Sequence, residues 1–100
     1  MEEFAQQLQY THPRLAAKAR LQTDEQSGMP VLLYPEGVVL LNETAASIIQ
    51  LCDGKRSFPE ILGCLAGEYQ SAIEGLSEDV AYYLYNLYQQ SLVELAEVSV

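Results

Sequence analysis

The stretch Leu33–Gly54, LYPEGVVLLNETAASIIQLCDG, decides the fold. It holds the end of one strand, a tight turn, a second strand, a helix cap, a helix and a helix stop. PEG is the turn: proline presets φ at the first position, and Gly37 can take positive φ at little steric cost. A three-residue hairpin loop with a glycine bulge is therefore expected there. Val38–Leu41 (VVLL) is apolar along its whole length and reads as a strand. Asn42 can accept from the free amides of a following helix. Ala45, Ile48, Ile49 and Cys52 then fall at i, i+3, i+4 and i+7, one buried stripe. Gly54 is placed to stop that helix.

Working outward, Ala19–Thr23 alternates and reads as a strand, DEQSG as a turn, and Val31–Tyr34 as a second strand opened by Pro30. Three strands on short turns make an antiparallel meander with VVLL at an edge. Downstream, Ser57 and Glu60 have capping-box spacing. They open a helix whose stripe is Phe58, Ile61, Leu62, Leu65 and Tyr69. QSAIEG is expected to be a loop. Ser77 is expected to cap a third helix with Glu78 and Asp79 in its first turn, running to about Gln90 or Leu92. Val93–Leu95 forms a last extended piece. Residues 1–12 are expected to be a flexible arm. A short helix over Phe4 and Leu8 would be marginal alone, and Pro13 interrupts it. Residues 13–100 then form one domain, with an α+β, winged-helix-like fold: a three-stranded antiparallel sheet followed by a three-helix bundle.

Composition narrows the function. The chain carries 5 Lys+Arg against 14 Asp+Glu, a net charge of −9. Every basic residue lies within the first 56 positions: Arg14, Lys18, Arg20, Lys55 and Arg56. A DNA-binding winged helix needs Lys and Arg for phosphates and guanines, so nucleic acid is disfavoured as a partner. No apolar run has the length of a membrane span, and no secretory signal is visible, which points to the cytoplasm. The single histidine, His12, and the absence of a CxxC pair give no metal set. Cys52 and Cys64 are expected to be reduced thiols. CDGKRS lacks the glycine spacing of a phosphate loop. Neither a catalytic group nor a cofactor site is expected.

Two features ask for more than packing. The apolar edge Val38–Leu41 is blunted by neither charge nor proline and invites another chain to pair with it. The third helix carries four of seven tyrosines, Tyr82, Tyr83, Tyr85 and Tyr88. Val80, Tyr83, Leu84 and Leu87 form a core stripe, while Ala81, Tyr85, Tyr88 and Leu92 form a flanking stripe suited to the wall of a wet groove. An extended peptide could add as a fourth strand along Val38, Val39, Leu40 and Leu41, its side chains entering a groove against that helix. On this reading Val39→Pro removes a ladder donor and abolishes binding. A homodimer paired through the same edge is the competing use of it, so a monomer or a dimer is open.

HPRLAAKARLQ, then LLYPEGVVLLNETAASIIQLCDGKRSFPEILGCLAGEY, then SEDVAYYLYNLYQQSLVE resemble the PqqD family over about residues 13–95. The YPEG turn followed by LNETAA and a DG stop is the specific part. The resemblance implies a peptide chaperone, a recognition element for ribosomally made, modified peptides. Such proteins bind the precursor peptide PqqA and present it to the radical SAM enzyme PqqE in pyrroloquinoline quinone (PQQ) biosynthesis. It also implies that the peptide adds to the third strand, here Val38–Leu41, beside the helix around Tyr82–Tyr88. A recognition domain of another modified-peptide pathway would share this fold and groove. The chain departs from the family where relatives often have tryptophan after the first strand, here Thr23, and an aromatic late in the third helix, here Leu92.

Overall fold

The computed structural model describes residues 2–69 and 73–97. The expected meander is present: β2 (Arg20–Thr23), β3 (Pro30–Tyr34) and β4 (Gly37–Leu40) form an antiparallel sheet in that order. The bend between β2 and β3 is held by Asp24. Its carboxylate accepts from the Ser27 amide (3.1 Å) and hydroxyl (2.7 Å), and Gly28 takes φ 73°. Helices α2 (Glu43–Leu51), α3 (Phe58–Tyr69) and α4 (Ile73–Gln89) follow. Asn42 caps α2 by accepting from the Ala45 amide at 2.7 Å. The capping box of α3 is reciprocal: Ser57 N–H donates to Glu60 (2.9 Å), and Glu60 N–H donates to Ser57 Oγ (3.2 Å). The core gathers Leu32, Leu41, Ile48, Ile49, Phe58, Ile61, Leu65, Val80, Leu84 and Leu87 between the sheet's inner face and the three helices.

The first departure from expectation lies at the N-terminus. Residues Glu2–Leu8 form helix α1, and both Phe4 and Leu8 are buried in the common core. Thr11–Leu15 is strand β1, antiparallel to β5 (Val93–Glu97), so the expected boundary after residue 12 falls inside a paired strand. Packing supplies what a seven-residue helix lacks by itself. Pro13 is compatible with β1 because of ladder parity. Ala16 N–H donates to Leu92 O, so Arg14 and His12 are the residues bonded to β5, and Pro13 sits at a position whose N–H β5 does not need. The opposite side of β1 is tied to the end of α2: Leu15 N–H donates to Cys52 O, and Gly54 N–H to Pro13 O. Gly54 does not stop α2 as expected: the helix ends at Leu51, Cys52 is its cap with its N–H on Ile49 O, and Gly54 takes φ 77° two residues further on, in the turn that lies against the Arg14 side chain.

Three local expectations change. The β3–β4 connection is a two-residue turn, Pro35-Glu36, with Tyr34 paired to Gly37, and Gly37 does not take positive φ. Helix α4 begins at Ile73, before Ser77, so Ser77 is inside the helix and does not cap it. Leu76 packs against the core, and this outweighs the ~1 kcal/mol cost of Gly75 in a helix. The part of the expected loop at 70–72 lies outside the described residues. Helix α4 ends earlier than its periodicity implies, in a Schellman turn. Ser91 takes φ 60°, its N–H donates to Tyr88 O (3.0 Å), and Leu92 N–H donates to Leu87 O (2.9 Å).

Candidate functional site: the open edge of β4

The outer side of β4 bears no strand among the described residues. Which of its backbone groups face outward follows from parity. Leu41 N–H donates to Pro30 O at 3.0 Å, which makes 41 and 30 a hydrogen-bonded pair in the β3–β4 register. Such pairs recur every second residue, so Val39 bonds to Leu32 and Gly37 to Tyr34. The alternate residues, Val38 and Leu40, turn both N–H and C=O away from β3. They are the open donors and acceptors of the edge. Val39 is not: its N–H is committed inward, and a proline there would break the protein's own sheet.

The opposite edge of the sheet is less inviting. The exposed side chains of β2 are Arg20, Gln22 and Thr23, polar groups of the kind that blunt an edge. On β4 the exposed side chains are Val38 and Leu40, 58% and 75% accessible. Val39 points to the other face and is half-buried against the core. Leu41 lies just beyond the strand and is fully committed to the core.

The tyrosine-bearing helix is placed differently from expectation. The core stripe Val80, Leu84 and Leu87 is buried, with Tyr83 packed beside it. Burial raises the Tyr83 phenol above its ordinary range. Of the flanking stripe, Ala81 is buried. Leu92 is not on the helix at all. It follows the Schellman turn, with its N–H on Leu87 O, and is fully buried in the same core as Leu87. Tyr85 and Tyr88 face α1, with Phe4 ring centroids 5.4 Å and 5.0 Å away. The close packing of α4 is with α3, β5 and α1, whereas that of β4 is with β3. Phe4, Lys18, Tyr85, Tyr88, Gln89 and Val93 line an open cleft of about 1010 Å³, so the wall facing the two tyrosines comes from α1 and the β1–β2 connection. Tyr82 lies on the far, solvent side of α4. Thus the structure brings Tyr85 and Tyr88 together with Phe4, a residue absent from the sequence-based site, and does not close a groove between them and β4. The i,i+4 spacing of Phe4 and Leu8 was the available signal.

Other reactive groups are quiet. The Cys52 thiol is buried and donates to Ile48 O at 3.3 Å; burial, with a smaller contribution from Asp53, pushes its pKa up to about 12. Cys64 is exposed, and both cysteines are free. His12 Nδ1 donates to Gly54 O at 3.2 Å, a structural tie between β1 and the α2–α3 loop. Asp53 accepts from the amides of Lys55 and Arg56 and pairs with the Arg56 guanidinium at 2.7 Å; the Lys55 amide is the first cause of its lowered pKa. Among the described residues no group of His, Cys, Asp and Glu is placed to hold a metal ion, and no helix is long and apolar enough to cross a membrane.

Fold and edge together define a small α+β domain in which a three-stranded antiparallel sheet, open at its last strand, precedes three helices. The family profile described as "Coenzyme PQQ synthesis protein D (PqqD)" matches residues 31–93, and the chain belongs to that family. It is 41% identical over 66 residues to the "PqqA binding protein" of Methylococcus capsulatus, covering 66% of this chain and 69% of the relative. It is 37% identical over 83 residues to the "PqqA binding protein" of Azotobacter vinelandii, covering 83% and 89%. The solution NMR structure of the PqqD truncation of Methylobacterium extorquens PqqCD, described as a functional and stand-alone RiPP recognition element, superposes with a TM-score of 0.70. It is 30% identical, covering 82% of this chain and 87% of that one.

Proposed function

We propose that this chain binds the PqqA precursor peptide by strand addition to β4 and presents it to a PqqE-like radical SAM enzyme in PQQ biosynthesis, itself catalysing nothing. We set this role in the cytoplasm, and the free thiols of Cys52 and Cys64 support that reading. Relatives named for PqqA binding support the ligand. The observation that carries the binding mode is the open edge at Val38 and Leu40, with apolar side chains where edges are ordinarily charged. The edge offers two N–H and two C=O groups, hence about 4 kcal/mol from net hydrogen bonds at ~1 kcal/mol each. Apolar anchors add ~1.5–3 kcal/mol apiece when fully buried. Ordering the peptide removes about 2–5 kcal/mol, and loss of rigid-body freedom removes more. Micromolar affinity, near −8 kcal/mol, is the ceiling. A carrier that hands its cargo to an enzyme is served by an affinity of that order.

The test is a titration of the ¹⁵N-labelled chain with PqqA. Backbone amide shifts are expected at Val38 and Leu40, the residues whose N–H and C=O groups face outward. Shifts confined to residues 2–12 contradict strand addition.

A further inference from the structure

The residues with open backbone groups are the same two whose side chains are most exposed on β4, and they share a face. The register sets Leu40 opposite Val31 and Val38 opposite Leu33, all on the side of the sheet away from the helices. Arg20 and Gln22 occupy this face on β2, opposite Leu33 and Val31. The outer face therefore runs from polar on β2 to wholly apolar on β3 and β4. Exposure rises toward the edge, from buried Val31 through half-buried Leu33 to Val38 and Leu40. A sheet finished at β4 would do the reverse and put its charge at the rim.

We propose that this row is a second recognition surface for the guest strand, so that the peptide is read on both of its faces. The inference rests on strand addition to β4 and specifies its ligand. A guest strand bonded to Val38 and Leu40 sets two of its own residues directly opposite them, with Cβ atoms about 5 Å away. Because strand side chains alternate, both guest residues lie on the outer face. They extend the row Val31–Leu40 and Leu33–Val38 by one strand, and apolar residues there (Val, Ile, Leu or an aromatic) complete its burial. The guest residue between them turns to the inner face beside Val39. The ligand is thus an extended segment with apolar residues two apart on its outward face. A second copy of this chain is the poorer occupant, because each copy brings a net charge of −9.

The probe is synthetic Azotobacter vinelandii PqqA, titrated calorimetrically into wild type, Leu40→Ser and Val38→Thr, with edge amides followed by NMR at saturation. Both substitutions are at exposed positions and leave every core contact in place. Each is expected to weaken binding, Leu40→Ser by about tenfold, while the amides at 38 and 40 still shift. Serine substitution along the peptide is expected to find two sensitive positions two apart, one of which loses its effect against Leu40→Ser. Wild-type affinity in both variants, with edge shifts retained, overturns the outward row and leaves strand addition standing. Absence of edge shifts in the wild type overturns both. A dimer seen by light scattering and lost in Leu40→Ser overturns the proposal in favour of self-pairing.

Discussion

Val38→Pro removes one outward N–H from β4 and leaves the β3–β4 ladder untouched, because that ladder uses Val39 and Gly37. The lost bond is worth ~1 kcal/mol net, and the guest carbonyl left without a donor adds ~1–3 kcal/mol where the interface is dry. The sum of about 2–4 kcal/mol corresponds to a loss of about thirtyfold or more in PqqA affinity. Val38→Ala separates the effect of the side chain from that of the donor. Val39→Pro is the opposite case. It removes an internal bond to Leu32, leaves that carbonyl without its donor, and should cost the fold about 2–4 kcal/mol before any ligand is added. The assay is calorimetric titration of each variant, paired with a chemical-denaturation curve. The expected pattern is a folded Val38→Pro with weakened binding, a Val38→Ala intermediate between it and wild type, and a destabilised Val39→Pro. Wild-type affinity in a folded Val38→Pro would refute the parity argument; so would a Val39→Pro that is as stable as wild type.

Phe4→Ala empties a site packed on Tyr85 and Tyr88 and should lower unfolding free energy by about 3–5 kcal/mol in urea, whereas a loose arm would leave it unchanged. Ser91→Gly relieves a left-handed residue in the Schellman turn and should stabilise the domain by ~1 kcal/mol, read as a higher denaturation midpoint at constant slope. Asp24, Asp53 and Glu60 are all held below their ordinary pKa values of 3.8, 3.8 and 4.5, the first and second chiefly by bonds from Ser27 and Lys55 and the third by the Ser57 amide. Their stabilisation is complete above those ordinary values and is lost as pH falls through them toward the lower folded values. Unfolding free energy should therefore decline as the medium is acidified through the carboxylate range, and less steeply in Asp53→Asn/Glu60→Gln than in wild type.

What could be read from the sequence was whatever local pattern controls. The meander, the Asn42 cap, the Ser57–Glu60 box and the stripes of α2 and α3 are set by period and spacing within a few residues. The misplaced elements depend on partners distant in the chain. Strand β1 exists because Val93–Glu97 pairs with it, and Pro13 is tolerated only by virtue of that register. Helix α1 exists because Phe4 and Leu8 find the core. The end of α4 was obscured because Ser91, not glycine, takes the left-handed position, so that Leu92 looked like one more turn of helix. At the candidate site, the apolar edge was visible as VVLL. Which of its residues face outward was not, since parity is fixed only once Leu41 is seen to bond to Pro30.

Hydrogen exchange at three consecutive amides tests the central claim most directly. In the free chain Val38 and Leu40 should exchange fast and Val39, bonded to Leu32, slowly. With PqqA bound, the first two should become protected while Val39 changes little. Protection of Val38 and Leu40 already present in a monomeric free chain, or no gain of protection on saturation, would contradict an edge held open for a guest strand.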